Sequence, residues 1–150
     1  MSGPRVLLLN GPNLNLLGDR EPEIYGTATL EQHVAAARSV AEEQGIFLDH
    51  AQSNHEAVLV EAIHGARGRC RAIVINAGAF THYAWSIADA LGTFDGVVIE
   101  LHLSNPNARE AWRHTSVIAP VADGTIAGFG GLGYELAILA VAEMLKERNQ

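Results

Sequence analysis

The chain has 150 residues, 48% of them hydrophobic, which suits one globular domain over 1–150 that buries roughly two-thirds of its unfolded surface. Its formal charge of -7 argues against nucleic acid or an acidic membrane as partner, because both select a basic face. No run approaches the ~18 apolar residues of a membrane span and the opening MSGPR has no apolar signal core, so the expected address is cytoplasmic.

The apolar run RVLLLN (5–10) predicts a buried strand. It empties into a loop over 11–26 that carries three glycines, two asparagines, Arg20 and Tyr25. Strand-to-helix connections usually take roughly 2–6 residues, so a loop of this length reads as a lid or binding loop. In LEQHVAAARSVAEEQ, Leu30, Val34, Ala37 and Ala41 recur at helical spacing, with a Thr29/Gln32 capping box ahead and Gly45 as the stop. IFLDHA (46–51) predicts the second strand, and Ser53 with Glu56 predicts another capping box before the helix VLVEAIHGAR. Then come a strand AIVIN (72–76), a helix near 83–91 stopped by Gly92, a strand GVVIELH (96–102), a short helix around 107–113, a weak strand SVIA (116–119) and an apolar helix from about 131 to 147. Near-continuous apolar strands separated by helices signal a parallel sheet covered on both faces. The expected fold is α/β: a flavodoxin-like doubly wound sandwich on a five-stranded parallel sheet.

In such a sheet a ligand sits beyond the carboxyl ends of the strands, near the reversal of strand order. The polar residues gather there, in NGPN after the first strand, NAGAFTH after the third and ELHLSN at the end of the fourth. Alternation puts Glu100 and His102 on one face and Leu101 and Leu103 on the other. Spacing alone leaves three readings of that pair: a general acid with its orienting carboxylate, a structural pair, or two metal ligands awaiting a third such as His82 or His114. Ser104 and Asn105 before Pro106 suggest a helix start whose free N–H groups could receive a carboxylate. Arg109 and Arg113, four apart, share a face of the short helix and read either as ligand contacts or as a solvated pair. Asn76 and His82 are either turn residues or ligand contacts. Cys70, the one cysteine, cannot form an internal disulfide and has no neighbouring His or acid to make it a nucleophile.

In the lid, Tyr25 lies five residues beyond Arg20. A phenol with its ordinary pKa of ~10 is protonated at neutral pH, and lowering that by about three units requires roughly 4 kcal/mol. One guanidinium about 4 Å away at an effective dielectric near 20 supplies about that much before desolvation opposes it. Tyr25 is therefore either a base activated by Arg20 or a residue that packs the lid shut.

The blocks NGPNLNLLGDREPEIYG (10–26), QSNHE (52–56), NAGAFTH (76–82), ELHLSNPNAREAWRHTS (100–116) and GFGGLGYELA (128–137) resemble type II 3-dehydroquinate dehydratase, in the family's order and over most of the chain. The resemblance implies trimers assembled into a dodecamer, no metal or coenzyme, and a small-molecule substrate. It also implies the reaction: anti elimination of water from 3-dehydroquinate, through an enolate, to 3-dehydroshikimate in the shikimate or quinate pathway. By motif, Tyr25 would be the base, Arg20 its activator, Asn13 the holder of a water on the enolate oxygen, His102 the acid and Glu100 its orienting partner. Asn76, His82 and Arg113 match positions that bind substrate hydroxyls, the backbone of Leu103 and Ser104 matches a carboxylate cradle, and Asp89 matches a residue that reaches a neighbouring subunit's site. The type I route through a lysine imine has no counterpart, since the one lysine, Lys146, falls in the last turn of the C-terminal helix. The sequence departs from the family's pattern at Ala57 and at Ala88 within HYAWSIAD (82–89), which bears on subunit contacts, and at Asn107; none of these touches the acid or base. The alternative is a flavodoxin-like flavin- or nucleotide-binding module, although the loop after the first strand lacks a GxGxxG. A phosphoacceptor domain fits less well still, because no acidic residues come directly after that strand.

Overall fold

The computed structural model describes residues 3–149; Met1, Ser2 and Gln150, at the ends of the expected 1–150 domain, lie outside the described residues. Five strands, β1 (Arg5–Asn10), β2 (Phe47–Gln52), β3 (Ala72–Asn76), β4 (Val97–His102) and β5 (Gly124–Ala127), form a parallel sheet in the order β2-β1-β3-β4-β5. This is the flavodoxin-like order, and its switch point lies between β1 and β3. The helices are α1 (Pro22–Tyr25), α2 (Leu30–Glu43), α3 (Glu56–Ala66), α4 (Trp85–Gly92) and α5 (Leu132–Arg148).

Strand alternation divides the core into two layers. Val6 and Leu8 of β1 face α2 and α5 together with Val74, Ile99 and Leu101, whereas Leu7 and Leu9 face α3 and α4 with Ile73, Ile75 and Val98. Each of these side chains is at most 4% exposed, and a fully buried Leu or Ile of this kind contributes roughly 1.5–3 kcal/mol. Along β4 the parity that sends Leu101 toward α5 turns Glu100 and His102 the other way, as the alternation predicts.

On α2, Leu30, Val34, Ala37 and Ala41 are all buried, and the Thr29/Gln32 capping box is present, with N–H to side-chain distances of 2.8 and 3.2 Å. The second predicted box does not form. Ser53 Oγ accepts from the His55 N–H at 2.9 Å in a local turn, His55 is the N-cap, and Glu56 therefore sits at the first helical position, where its carboxylate accepts instead from Ser86 Oγ.

The predicted strand SVIA is also absent. Val117 and Ile118 are buried, 5% and 0% exposed, but the Ser116 hydroxyl accepts from the N–H groups of Ile118 and Ala119 and turns the chain into a 3-10 turn at Ala119–Val121. The fifth strand is the less apolar GTIA, whose Thr125 pairs in register with Glu100. The helix expected around 107–113 is two 3-10 turns, Pro106–Ala108 and Ala111–Arg113, parted by Arg109 in extended backbone (φ -118°, ψ -162°). No helix among the described residues is long and apolar enough to cross a membrane, and none of them form a cluster of three or more His, Cys, Asp or Glu able to hold a metal.

Candidate active site

At the switch point the carboxyl ends of β1, β3 and β4 open into a narrow cleft of about 50 Å³. Two close approaches shape its floor. The Gly11 N–H donates to the Asn76 carbonyl at 2.7 Å, and a side chain at Gly11 would meet the Ala77 carbonyl oxygen at 2.3 Å, so only glycine lets the two loops cross. Asn13 comes next with φ 68°, a left-handed conformation that asparagine tolerates, and its side chain lines the cleft.

Glu100 is 2% exposed, yet its carboxylate is fully engaged. It accepts from His102 Nε2 at 2.6 Å, Ser116 Oγ at 2.7 Å and Thr125 Oγ1 at 3.2 Å. Burial pushes this carboxyl up, but the hydrogen bonds from His102 and Ser116, the imidazole's charge and Thr125 outweigh it and hold the group below the ordinary glutamate value. Because His102 commits Nε2–H to Glu100, its Nδ1 is the nitrogen left for the cleft that it lines. His82 is oriented in the same manner: Nδ1–H donates to the Thr115 carbonyl at 2.7 Å, and the ring meets Trp112 edge-on. Burial lowers the His82 pKa, partly opposed by that carbonyl, with the charges of His102 and Arg113 lowering it further.

The lid brings Tyr25 in at 9% exposed, with guanidinium groups on two sides. Arg20 lies over the ring face, 4.7 Å from its centroid, whereas Arg109 Nη1 donates to the phenol oxygen at 2.5 Å and to Ser104 Oγ at 3.2 Å. The cation on the oxygen is thus Arg109, and Arg20 stacks. Arg113 is anchored by a 2.8 Å bond from Nε to Glu110 and also lines the cleft.

The structure gathers Asn13, Arg20, Tyr25, Asn76, His82, His102, Leu103, Ser104 and Arg113 around one cleft, with Glu100 behind His102. Asp89 stands apart, exposed on α4. Arg109, left by the sequence as either a ligand contact or half of a solvated pair, also lines the cleft, and its place on the phenol oxygen was not expected. Its four-residue spacing from Arg113 was the available signal, but that spacing fits a solvated pair equally well.

The sign of the Glu100 shift gives a prediction. A carboxyl held below its unfolded value stabilises the fold fully above that unfolded value, and the contribution is lost as pH falls through the native one. Glu100→Gln is expected to lower stability near neutrality and to flatten the loss below about pH 5 that the wild-type carboxylate produces. Denaturant titrations across pH check it, and two parallel curves would contradict it.

The fold and site together define a doubly wound α/β protein with a guanidinium-bound phenol and a carboxylate-buttressed imidazole on one cleft. The family model for dehydroquinase class II matches residues 4–142. The 3-dehydroquinate dehydratase of Ruegeria pomeroyi is 53% identical over 140 residues, which are 93% of this chain and 94% of the relative. The catabolic 3-dehydroquinase of Aspergillus clavatus is 51% identical over 146 residues, 97% of each chain. The crystal structure of type II dehydroquinase from Butyrivibrio crossotus superposes with a TM-score of 0.91 at 42% identity, covering 94% of this chain and 99% of the other. The chain belongs to the class II dehydroquinase family. The flavin- or nucleotide-binding alternative is not favoured.

Proposed function

We propose that the protein is a hydro-lyase that dehydrates 3-dehydroquinate to 3-dehydroshikimate by anti elimination through an enolate, in the shikimate or quinate pathway. The observation that carries this reading is the pairing, on one cleft, of a phenol oxygen bound by Arg109 with an imidazole held by Glu100. The proton beside a ketone is weakly acidic, so the site has to stabilise the enolate and match a base and an acid to opposite ends of the reaction. Ionised Tyr25 takes the C2 proton, its negative charge stabilised by Arg109 at the oxygen and Arg20 over the ring. Electron density moves into the carbonyl, where Asn13 holds a water against the enolate oxygen. Collapse of the enolate expels the hydroxyl, which leaves as water with a proton from imidazolium His102 while Glu100 retains Nε2–H. Solvent then returns the proton from the phenol to the imidazole. Asn76, His82 and Arg113 bind substrate hydroxyls, and the backbone at Leu103 and Ser104 receives the carboxylate. Both proton transfers run on side chains, so the reaction as proposed requires no metal or coenzyme. Incubation with 3-dehydroquinate should produce the ultraviolet absorbance of a conjugated enone, and a flat trace with folded protein would overturn the reading.

The same reading places 1–150 as one catalytic domain in the cytoplasm, with subunits associated as trimers within a dodecamer. It is supported by an exposed aromatic surface on and beside α4, where Tyr83 is 57% and Trp85 69% exposed and Asp89 is available to a neighbour's cleft. The single Cys70, buried and unable to form an internal disulfide, suits a reducing compartment. A light-scattering mass of one isolated chain would sink the assembly, and recovery of the protein outside the cytoplasm on cell fractionation would sink the location.

A further inference from the structure

Beneath the cleft runs a line of buried and half-buried polar groups of which the proposed chemistry uses only Asn76. Asn10 and Asn76 end β1 and β3 and are register partners, 0% and 3% exposed. Tyr134, in the first turn of α5 and 1% exposed, sets its hydroxyl between them. The Gly78 N–H donates to Asn76 Oδ1 at 3.3 Å, Asn76 Nδ2 donates to Tyr134 Oη at 3.3 Å, Tyr134 Oη donates to Asn10 Oδ1 at 2.5 Å, and Asn10 Nδ2 reaches His50 Nε2 at 3.0 Å.

One end fixes the direction of the whole chain. A backbone N–H can only donate, so Asn76 must turn Oδ1 toward Gly78 and Nδ2 toward the phenol. The phenol has one proton, and having accepted from Asn76 it gives that proton to Asn10. Asn10 is left with Nδ2 for His50, whose Nε2 therefore accepts and whose ring proton sits on Nδ1. The titration directions agree: burial, with Arg38 assisting and Glu31 opposing, lowers the His50 pKa, and burial raises that of Tyr134 so that its proton stays on.

We infer that Tyr134 is a positioning residue for the reaction, its hydroxyl locking the Asn76 amide in one orientation at the cleft wall. The Gly78 N–H selects which end of the amide faces it and the phenol oxygen gives the other end its acceptor, so the amide is pinned at both ends. Without the phenol hydroxyl, only the 3.3 Å bond from the Gly78 N–H holds the amide, Nδ2 loses its buried acceptor, and the amide rotates away from the position in which it meets a substrate hydroxyl. The inference rests on the substrate-binding role proposed for Asn76.

Tyr134→Phe removes only the hydroxyl and keeps the ring that stacks on His33 with centroids 5.5 Å apart. It should raise KM about tenfold while kcat stays within about threefold, as expected for a lost interaction that holds substrate and transition state alike. Combined with Asn76→Ala, which should itself raise KM, it should change KM no further, because the residue it positions is gone. Nitrogen-15 spectra of the wild-type protein should show His50 with its proton on Nδ1. A proton on Nε2 would reverse the chain and overturn the inference even if the Phe variant failed to fold. Equal KM effects of Tyr134→Phe in both backgrounds would reduce Tyr134 to packing. A clear Asn76→Ala defect with a normal Tyr134→Phe would overturn the lock alone, and an Asn76→Ala variant with unchanged KM would overturn the substrate role of Asn76 together with it.

Discussion

Tyr25→Phe is expected to abolish measurable turnover, with kcat down by about a thousandfold or more, while the protein stays folded and still binds substrate. The size stems from the role: a positioned general base contributes about 10²- to 10⁴-fold, and phenylalanine offers no atom that can take the C2 proton. The structure explains why so large a kinetic effect should cost little stability. The ring keeps its contacts with both guanidinium groups, 4.7 Å from Arg20 and 5.2 Å from Arg109. Arg109 loses the phenol oxygen but retains Ser104 Oγ at 3.2 Å, so the change in folding stability should stay near ~1 kcal/mol, the net value of one ordinary hydrogen bond. Steady-state kinetics beside a thermal melt check both halves. Near-normal turnover would mean that another group takes the proton, and a collapsed melt would mean that the phenol is there to close the lid.

Much of this site was legible in the sequence because strand geometry is simple. A period of two put Glu100 and His102 on one face, and the rule that ligands gather at carboxyl strand ends placed the three polar loops around one cleft. What failed had a common cause, namely that tertiary partners overrode local pattern. SVIA has the apolar content of a strand, yet Ser116 spends its hydroxyl on Glu100 and on two later N–H groups, and the sheet recruits the plainer GTIA instead. Arg109 and Arg113 do reach the same cleft, but through two 3-10 turns rather than one helical face. Sequence proximity favoured Arg20 as the partner of the phenol oxygen. The guanidinium found there comes from 84 residues away, a contact that no local spacing encodes. The polar chain beneath the cleft was illegible for the same reason, since Asn10, Asn76 and Tyr134 meet only once β1, β3 and α5 have packed.

His102→Ala separates the two halves of the reaction. If Tyr25 forms the enolate and His102 serves the departing hydroxyl, deleting the imidazole leaves proton abstraction in place and blocks departure of the hydroxyl, so the enolate returns to ketone more often than it eliminates. Loss of water should then fall by about 10²- to 10⁴-fold, whereas exchange of the C2 proton with deuterium oxide should fall by less than about tenfold. The local structure makes the comparison fair: Glu100 keeps Ser116 at 2.7 Å and Thr125 at 3.2 Å, so its buried carboxylate is not stranded when the 2.6 Å bond from His102 disappears. Substrate proton exchange tracked by NMR, set against enone formation on the same sample, gives the ratio directly. Equal losses in both would assign His102 to binding or to enolate stabilisation rather than to the leaving group. A selective loss of elimination would fix the order of events, with the lid phenol acting first and the β4 imidazole second. It would also explain why the fold places the base on a long loop but the acid on a central strand, buttressed from behind by a carboxylate 2% exposed.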